Sequence, residues 1–171
     1  MIIKRAWAMP NKNTFSIKPI KELIERIVMG EPGLWIDPFC GLNQYAALSL
    51  KNDLSTDVQA PYHLDAKEFL MQLNRCPDYH MFFDPPYSPR QISESYKSVG
   101  IRTNMQTTQS SWYSDIKNEI TRIIPKGNVC ISCGWNSNGI GMTRGFFIEE
   151  ILIVAHGGWH NDTIVTVERK V

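Results

Sequence analysis

The segment Tyr79-His-Met-Phe-Phe-Asp-Pro-Pro-Tyr87 constrains the fold of this chain more than any other. An apolar run of strand length meets two consecutive prolines. Proline offers no N–H to a ladder, and it pushes the residue before it out of helix. A buried strand over 79–83 is therefore predicted to end abruptly in a rigid turn. Strands buried on both faces belong to parallel sheets, and open α/β sheets take ligands at the carboxyl ends of their strands. At that position Asp84 brings a carboxylate, Pro85 a carbonyl and Tyr87 an aromatic face. An amino group on a flat ring suits the set: two acceptors for its N–H bonds and a ring to stack on. A strand-ending turn with Asp84 as a cap is the plainer reading, and it is the neighbouring motifs that weigh against it.

Elsewhere the pattern alternates strand and helix. Ile17, Ile20, Leu23, Ile24, Ile27 and Val28 recur at helical spacing, with Gly30 past the end. Leu34-Trp35-Ile36 is a short buried strand running into Asp37-Pro38-Phe39-Cys40-Gly41. Over 42–54 a strand at Ala46–Leu50 is favoured, with at most one helical turn before it, and Tyr62–Leu64 suggests another strand. Asp65 and Glu68 have capping-box spacing ahead of Phe69 and Leu70, so a helix starts at Asp65. A polar segment over 88–111 precedes a helix from about Trp112 to Ile124. Three final strands are expected at Asn128–Cys133, Phe146–Val154 and Thr163–Val167, and residues 1–16 are expected to be irregular. The sum is an α/β fold with a mostly parallel sheet and an antiparallel edge. At 171 residues, 43% hydrophobic and with a net charge of +1, the chain is expected to form one globular domain over 1–171. Disorder and a polybasic clamp are both excluded by those values.

Three further acids fall at successive strand ends. Asp37 lies in the first turn with Gly41, Asp53 ends the next strand, and Asp65-Ala66 ends a third. Small residues at a strand-to-turn junction let backbone approach a ligand. Asp53 can accept from both hydroxyls of a ribose, and Asp65 with a backbone N–H can address an adenine edge. Any one of these acids alone is an ordinary cap or loop residue; in order, they form a line along a nucleoside.

These motifs resemble those of S-adenosylmethionine-dependent amino-methyltransferases that modify adenine in DNA, and the whole chain, from about Trp7 to Arg169, is similar to the small phage and prophage members. The segment Thr14-Phe-Ser-Ile-Lys-Pro-Ile20 resembles their cofactor-wrapping motif. The resemblance implies a Rossmann-like class I fold with a seven-stranded, mostly parallel sheet and an antiparallel edge strand. It implies S-adenosylmethionine as cofactor, with Thr14, Phe15 and Ile17 at its methionine end and Asp37, Phe39 and Gly41 beneath it. Asp53 is then assigned to the ribose, Asp65 and Ala66 to the cofactor adenine, and Asp84, Pro85, Pro86 and Tyr87 to the target base. One departure stands out: Gly41 is followed by Leu42-Asn43-Gln44 where the family often has Gly-Ser-Gly-Thr.

DNA is the expected partner. Arg90, Lys97 and Arg102, with Tyr96 and Trp112 between and after them, offer cations for phosphates and rings for bases. Trp135 and Arg144, in the 134–145 loop, form a second candidate. RNA adenine or the cytosine amino group shares the pocket logic. Carbon-5 chemistry on cytosine needs a nucleophilic cysteine after proline, whereas Cys76 precedes Pro77. A rival of another class is a non-catalytic nucleic-acid-binding module stabilised by zinc on Cys130, Cys133, His156 and His160. Residues three apart on a strand point to opposite faces, which favours core cysteines and no metal. No secretory signal or membrane span is visible, so a reduced, cytoplasmic protein is expected. With little room for a separate recognition domain, the expectation is low specificity, a very short site, or a homodimer or partner supplying the rest.

Overall fold

The computed structural model describes residues 1–45, 49–102 and 110–171. Its centre is a seven-stranded sheet in the order β1-β6-β7-β5-β4-β2-β3. The strands are β1 (Ile2–Trp7), β2 (Leu34–Asp37), β3 (Ser49–Lys51), β4 (Tyr79–Phe83), β5 (Val129–Gly134), β6 (Phe146–Ala155) and β7 (Thr163–Lys170). All pairings are parallel except those of β7, which runs antiparallel between β5 and β6. The helices are α1 (Lys18–Gly30), α2 (Ala66–Met71), α3 (Pro89–Ser98) and α4 (Ser110–Ile123).

Central strands carry apolar side chains on both faces, and the sheet is sandwiched accordingly. On one face Ile20, Leu23 and Ile24 of α1 pack on Trp35, Phe82, Val129 and Ile131. On the other, Phe69 and Leu70 of α2 and Ile116, Ile120 and Ile123 of α4 pack on Ile36, Met81, Phe83 and Cys130. Neighbouring residues of one strand, such as Trp35 and Ile36, thus serve opposite layers. Among the described residues no helix is long and apolar enough to cross a membrane.

Two segments differ from the sequence expectation. Residues 2–7, expected to be irregular, form β1, paired parallel to β6 from Ile2–Glu150 to Trp7–Ala155. This strand is at the sheet's rim and mostly exposed, so it carries no apolar alternation to betray it. What fastens it is long-range: the buried Glu150 carboxylate meets Lys4 of β1 at 3.0 Å and Arg26 of α1 at 2.7 Å. Within the segment 88–111, residues 89–98 form α3. Ser88 caps it by accepting from the Gln91 N–H, and Pro89 occupies the first turn. Only Ile92 and Tyr96 of α3 are buried, too few to mark a helix by periodicity. The strand expected at 46–50 is seen only as β3, because residues 46–48 lie outside the described residues. Tyr62, expected in a strand, makes a single bridge to Asn52.

Candidate active site

The chain leaves β4 at its carboxyl end through Asp84-Pro85-Pro86-Tyr87, and three hydrogen bonds hold this corner. The Tyr87 hydroxyl donates to Asp84 Oδ1. The Tyr87 N–H donates to Gln91 Oε1 (2.6 Å), tying the corner to α3. From α4, the Tyr113 hydroxyl donates to the Pro86 carbonyl (2.5 Å). The Pro85 carbonyl accepts no hydrogen bond among the described residues. Pro86 is therefore engaged while Pro85 keeps an acceptor next to the carboxylate. Burial raises the Asp84 pKa above the ordinary aspartate value, and the facing Tyr87 and Thr14 hydroxyls pull it back.

The strand-end acids line up at the same edge. In the turn after β2, Gly41 has φ +44°, the left-handed region where glycine is at ease, and its N–H donates to Asp53 Oδ2 (2.9 Å). The other oxygen of Asp53 accepts from Ser55 N (2.9 Å). Asp65 caps α2 by accepting from Lys67 N (2.9 Å) and also accepts from the Tyr96 hydroxyl. Asn52, fully buried, staples the two turns: its amide donates to the carbonyls of Pro38 (3.1 Å) and Leu64 (3.0 Å), and its Oδ1 accepts from Leu64 N.

A cleft of about 500 Å³ runs along this edge. Thr14, Phe15, Phe39, Gly41, Asp53, Asp65, Ala66 and the whole Asp84–Tyr87 corner line it. Two of the sequence-assigned cofactor residues do not. Ile17 is buried in the core at the start of α1. Asp37 is buried beneath the cleft, accepting from Asn43 Nδ2 (2.5 Å) and Phe39 N (3.1 Å). Burial outweighs those two donors, and Asp84 and Asp53 add repulsion, so the Asp37 pKa is pushed up to about 7.

No protein-family model matches the sequence, and no curated protein does. Solved structures do resemble the chain. TrmN from Thermus thermophilus aligns over 91% of it with a TM-score of 0.58 and 15% identity. N-methyltransferase NodS from Bradyrhizobium japonicum WM9 aligns over 94% with a TM-score of 0.58 and 7% identity, and 99% of NodS is covered. Magnesium protoporphyrin IX methyltransferase from Synechocystis PCC 6803, solved with bound S-adenosylmethionine, aligns over 90% with 0.55 and 12%, covering 79% of that enzyme. The fold is that of the Rossmann-like methyltransferases. The chain spans about half of TrmN, 49% of its length.

Against this methyltransferase fold the remaining sequence-assigned residues divide. Trp135 follows β5, is 41% exposed, and meets the Tyr87 ring edge-on at 5.8 Å. Arg90 and Lys97 lie exposed on α3 and Arg102 just beyond it, with Arg90 paired to Glu94 at 2.8 Å. Residues 103–109 of the same candidate segment lie outside the described residues. Arg144, just before β6, is tied to α4: it donates to Asn118 (2.9 Å) and Ser114 (2.8 Å). Cys130 and Cys133 point into opposite core layers, and His156 is held between the Ala8 carbonyl and the Thr163 hydroxyl. That geometry separates the four residues of the zinc reading.

Sequence reasoning missed Tyr113, Gln91 and Asn52, which hold the acceptors in place, and it read Tyr96 as a ring for bases, whereas Tyr96 is buried and its hydroxyl donates to Asp65. Only Ser88-Pro89 signalled that Gln91 and Tyr96 would lie on a helix facing the corner. The others act across 12 to 27 positions of sequence and leave no local trace.

Proposed function

We propose that the chain transfers a methyl group from S-adenosylmethionine to the exocyclic amino group of adenine in DNA. The observation that carries this reading is the pair of acceptors at one corner, the Asp84 carboxylate and the unengaged Pro85 carbonyl, opening on a cleft large enough for a nucleoside. The cleft's lining fits the cofactor. Four acids, Asp53, Asp65, Asp84 and Glu94, line it against one cation, Lys12, which suits a ligand with a cationic sulfonium. When bound there, the cofactor supplies an electrophilic methyl group. Thr14 and Phe15 would hold its methionine end, Asp53 its ribose hydroxyls, and Asp65 with the Ala66 N–H its adenine.

The chemistry of this chain's own residues is electrostatic preorganisation. An exocyclic amino nitrogen shares its lone pair with the ring and is a weak nucleophile. Accepting both N–H bonds at Asp84 and Pro85 localises that pair and stabilises the positive charge that grows on nitrogen during attack. Burial makes the Asp84 carboxylate more basic than usual, which suits it to receive the proton the nitrogen sheds. The Tyr87 phenol keeps the carboxylate aimed, and its ring with that of Trp135 offers a stacking surface to an extruded base. Arg90 and Lys97 on α3 and Arg102 just beyond it would supply cations for phosphates along the rim of the cleft.

Incubation with methyl-labelled cofactor and either DNA or RNA, followed by nucleoside analysis, tests the proposal. The expected product is N6-methyladenine in DNA. Label confined to RNA or to cytosine would reassign the substrate, and label in neither nucleic acid would refute the reading.

A further inference from the structure

A second cavity, of about 320 Å³, opens on the far side of the diproline corner and shares Pro85, Pro86 and Tyr87 with the cleft. Its lining is rich in donors: Lys117, Tyr113, Asn136 and Asn138. The Tyr113 hydroxyl is already engaged by Pro86, and Asn136 Oδ1 by the Asn138 N–H. Lys117 is half-buried on α4, and its ammonium has neither a hydrogen bond nor an ion pair among the described residues. Burial lowers its pKa, Arg144 pushes the same way, and Glu168 opposes. An ammonium with no protein acceptor at the cavity wall is a ready donor to an acceptor that enters the cavity. A phosphate is the poorer occupant, because Arg144 is turned to Asn118 and Ser114 and Glu168 adds negative charge nearby. A neutral heterocycle with ring-nitrogen acceptors matches the lining.

We infer that this cavity seats the ring of the target base, and that the Lys117 ammonium donates to one of its ring nitrogens while Asp84 and Pro85 hold its amino group. Two features place the ring here. The cavity reaches the corner at Pro85 and Pro86, next to Asp84 in the chain, and it is walled by Tyr87 and Trp135, which meet edge-on so that one can stack on a planar ring while the other meets its edge. This assignment rests on the proposed amino-methyl transfer and names a substrate-contacting residue for it.

The test compares initial rates on oligonucleotides in which every adenine is replaced by 1-deaza-, 3-deaza- or 7-deazaadenine. In the unsubstituted enzyme, one replacement should lower kcat/KM roughly 10- to 100-fold, the range for a lost charged hydrogen bond. Lys117→Met should lower kcat/KM on ordinary adenine by a similar factor and then be indifferent to that same replacement. Its binding of S-adenosylhomocysteine, followed by titration, should stay unchanged. Three results overturn the inference while leaving the methyl-transfer reading standing: tolerance of all three analogues, a Lys117→Met enzyme with undiminished kcat/KM, or a variant still sensitive to the critical replacement. The analogue series needs only the natural chain, so tolerance of all three analogues overturns the inference even if the variant fails to fold. No transfer to any nucleic acid overturns both proposals together.

Discussion

Asp84 and Asp37 lie close enough to repel, yet they do different things. Asp84 faces the cleft and is held by Tyr87; Asp37 is shut beneath it with Asn43 and the Phe39 N–H as its donors. On the proposed function, truncating Asp84 removes an acceptor for the substrate and no contact assigned to the cofactor's nucleoside. Asp84→Ala is therefore expected to abolish turnover while the dissociation constant for S-adenosylhomocysteine changes little, as read by calorimetric titration. For Asp37 the consequence is pH-dependent stability. Its pKa is about 7 in the fold against an ordinary value of 3.8, so the folded state holds a proton that the unfolded state has lost. Stability then falls as pH rises from about 4 to about 7, by at most about 1.4 kcal/mol per pH unit from this group. Urea unfolding of Asp37→Asn across that range should show the slope reduced relative to the natural chain. The Asp84 and Glu168 carboxyls, also raised by burial, contribute in the same direction and remain in the variant.

At the scale of elements, the site depends on turns after strands being held to one another. Asn52 makes three bonds between the turn after β2 and the approach to α2, all in a buried setting. Asn52→Ala leaves the Pro38 and Leu64 carbonyls and the Leu64 N–H short of partners. A loss of roughly 2–4 kcal/mol is expected in denaturant unfolding, with weakened cofactor binding because Gly41 and Asp65 flank those turns. Gly139 shows a similar dependence in the loop after β5. There φ is +50°, and an added Cβ would lie 2.1 Å from Glu168 Oε2, whose carboxylate holds the Ile140 and Gly141 N–H groups. The helix α3 adds Gln91 to the corner and Tyr96 to Asp65, so one short element positions both ends of the cleft.

Across the whole molecule, the two core layers fix the sheet, and Glu150 fastens its rim. Burial pushes the Glu150 carboxyl up, but Lys4 and Arg26 outweigh burial and hold it below the ordinary glutamate value. Its contribution is present above about pH 4.5 and is lost as pH falls through the lower folded value. Because both cations are half exposed, Glu150→Ala should cost only roughly 1–3 kcal/mol, with faster amide exchange in β1 and a deficit that shrinks in acid. The sequence by itself determined the features that act within a few residues. They are the strand halted by Pro85 and Pro86, the cap at Asp65, the apolar runs of the central strands, and the order of the acids along one sheet edge. Proline sterics, capping hydrogen bonds and side-chain alternation need no distant partner. Long-range packing alone makes residues 2–7 a strand, brings the Tyr113 hydroxyl to the Pro86 carbonyl, ties Arg144 to α4, and sets Lys117 at a cavity beside the corner. Each of those depends on which segments the sheet order brings together, and contacts across 27 to 148 positions of sequence leave no mark on the local pattern at either end.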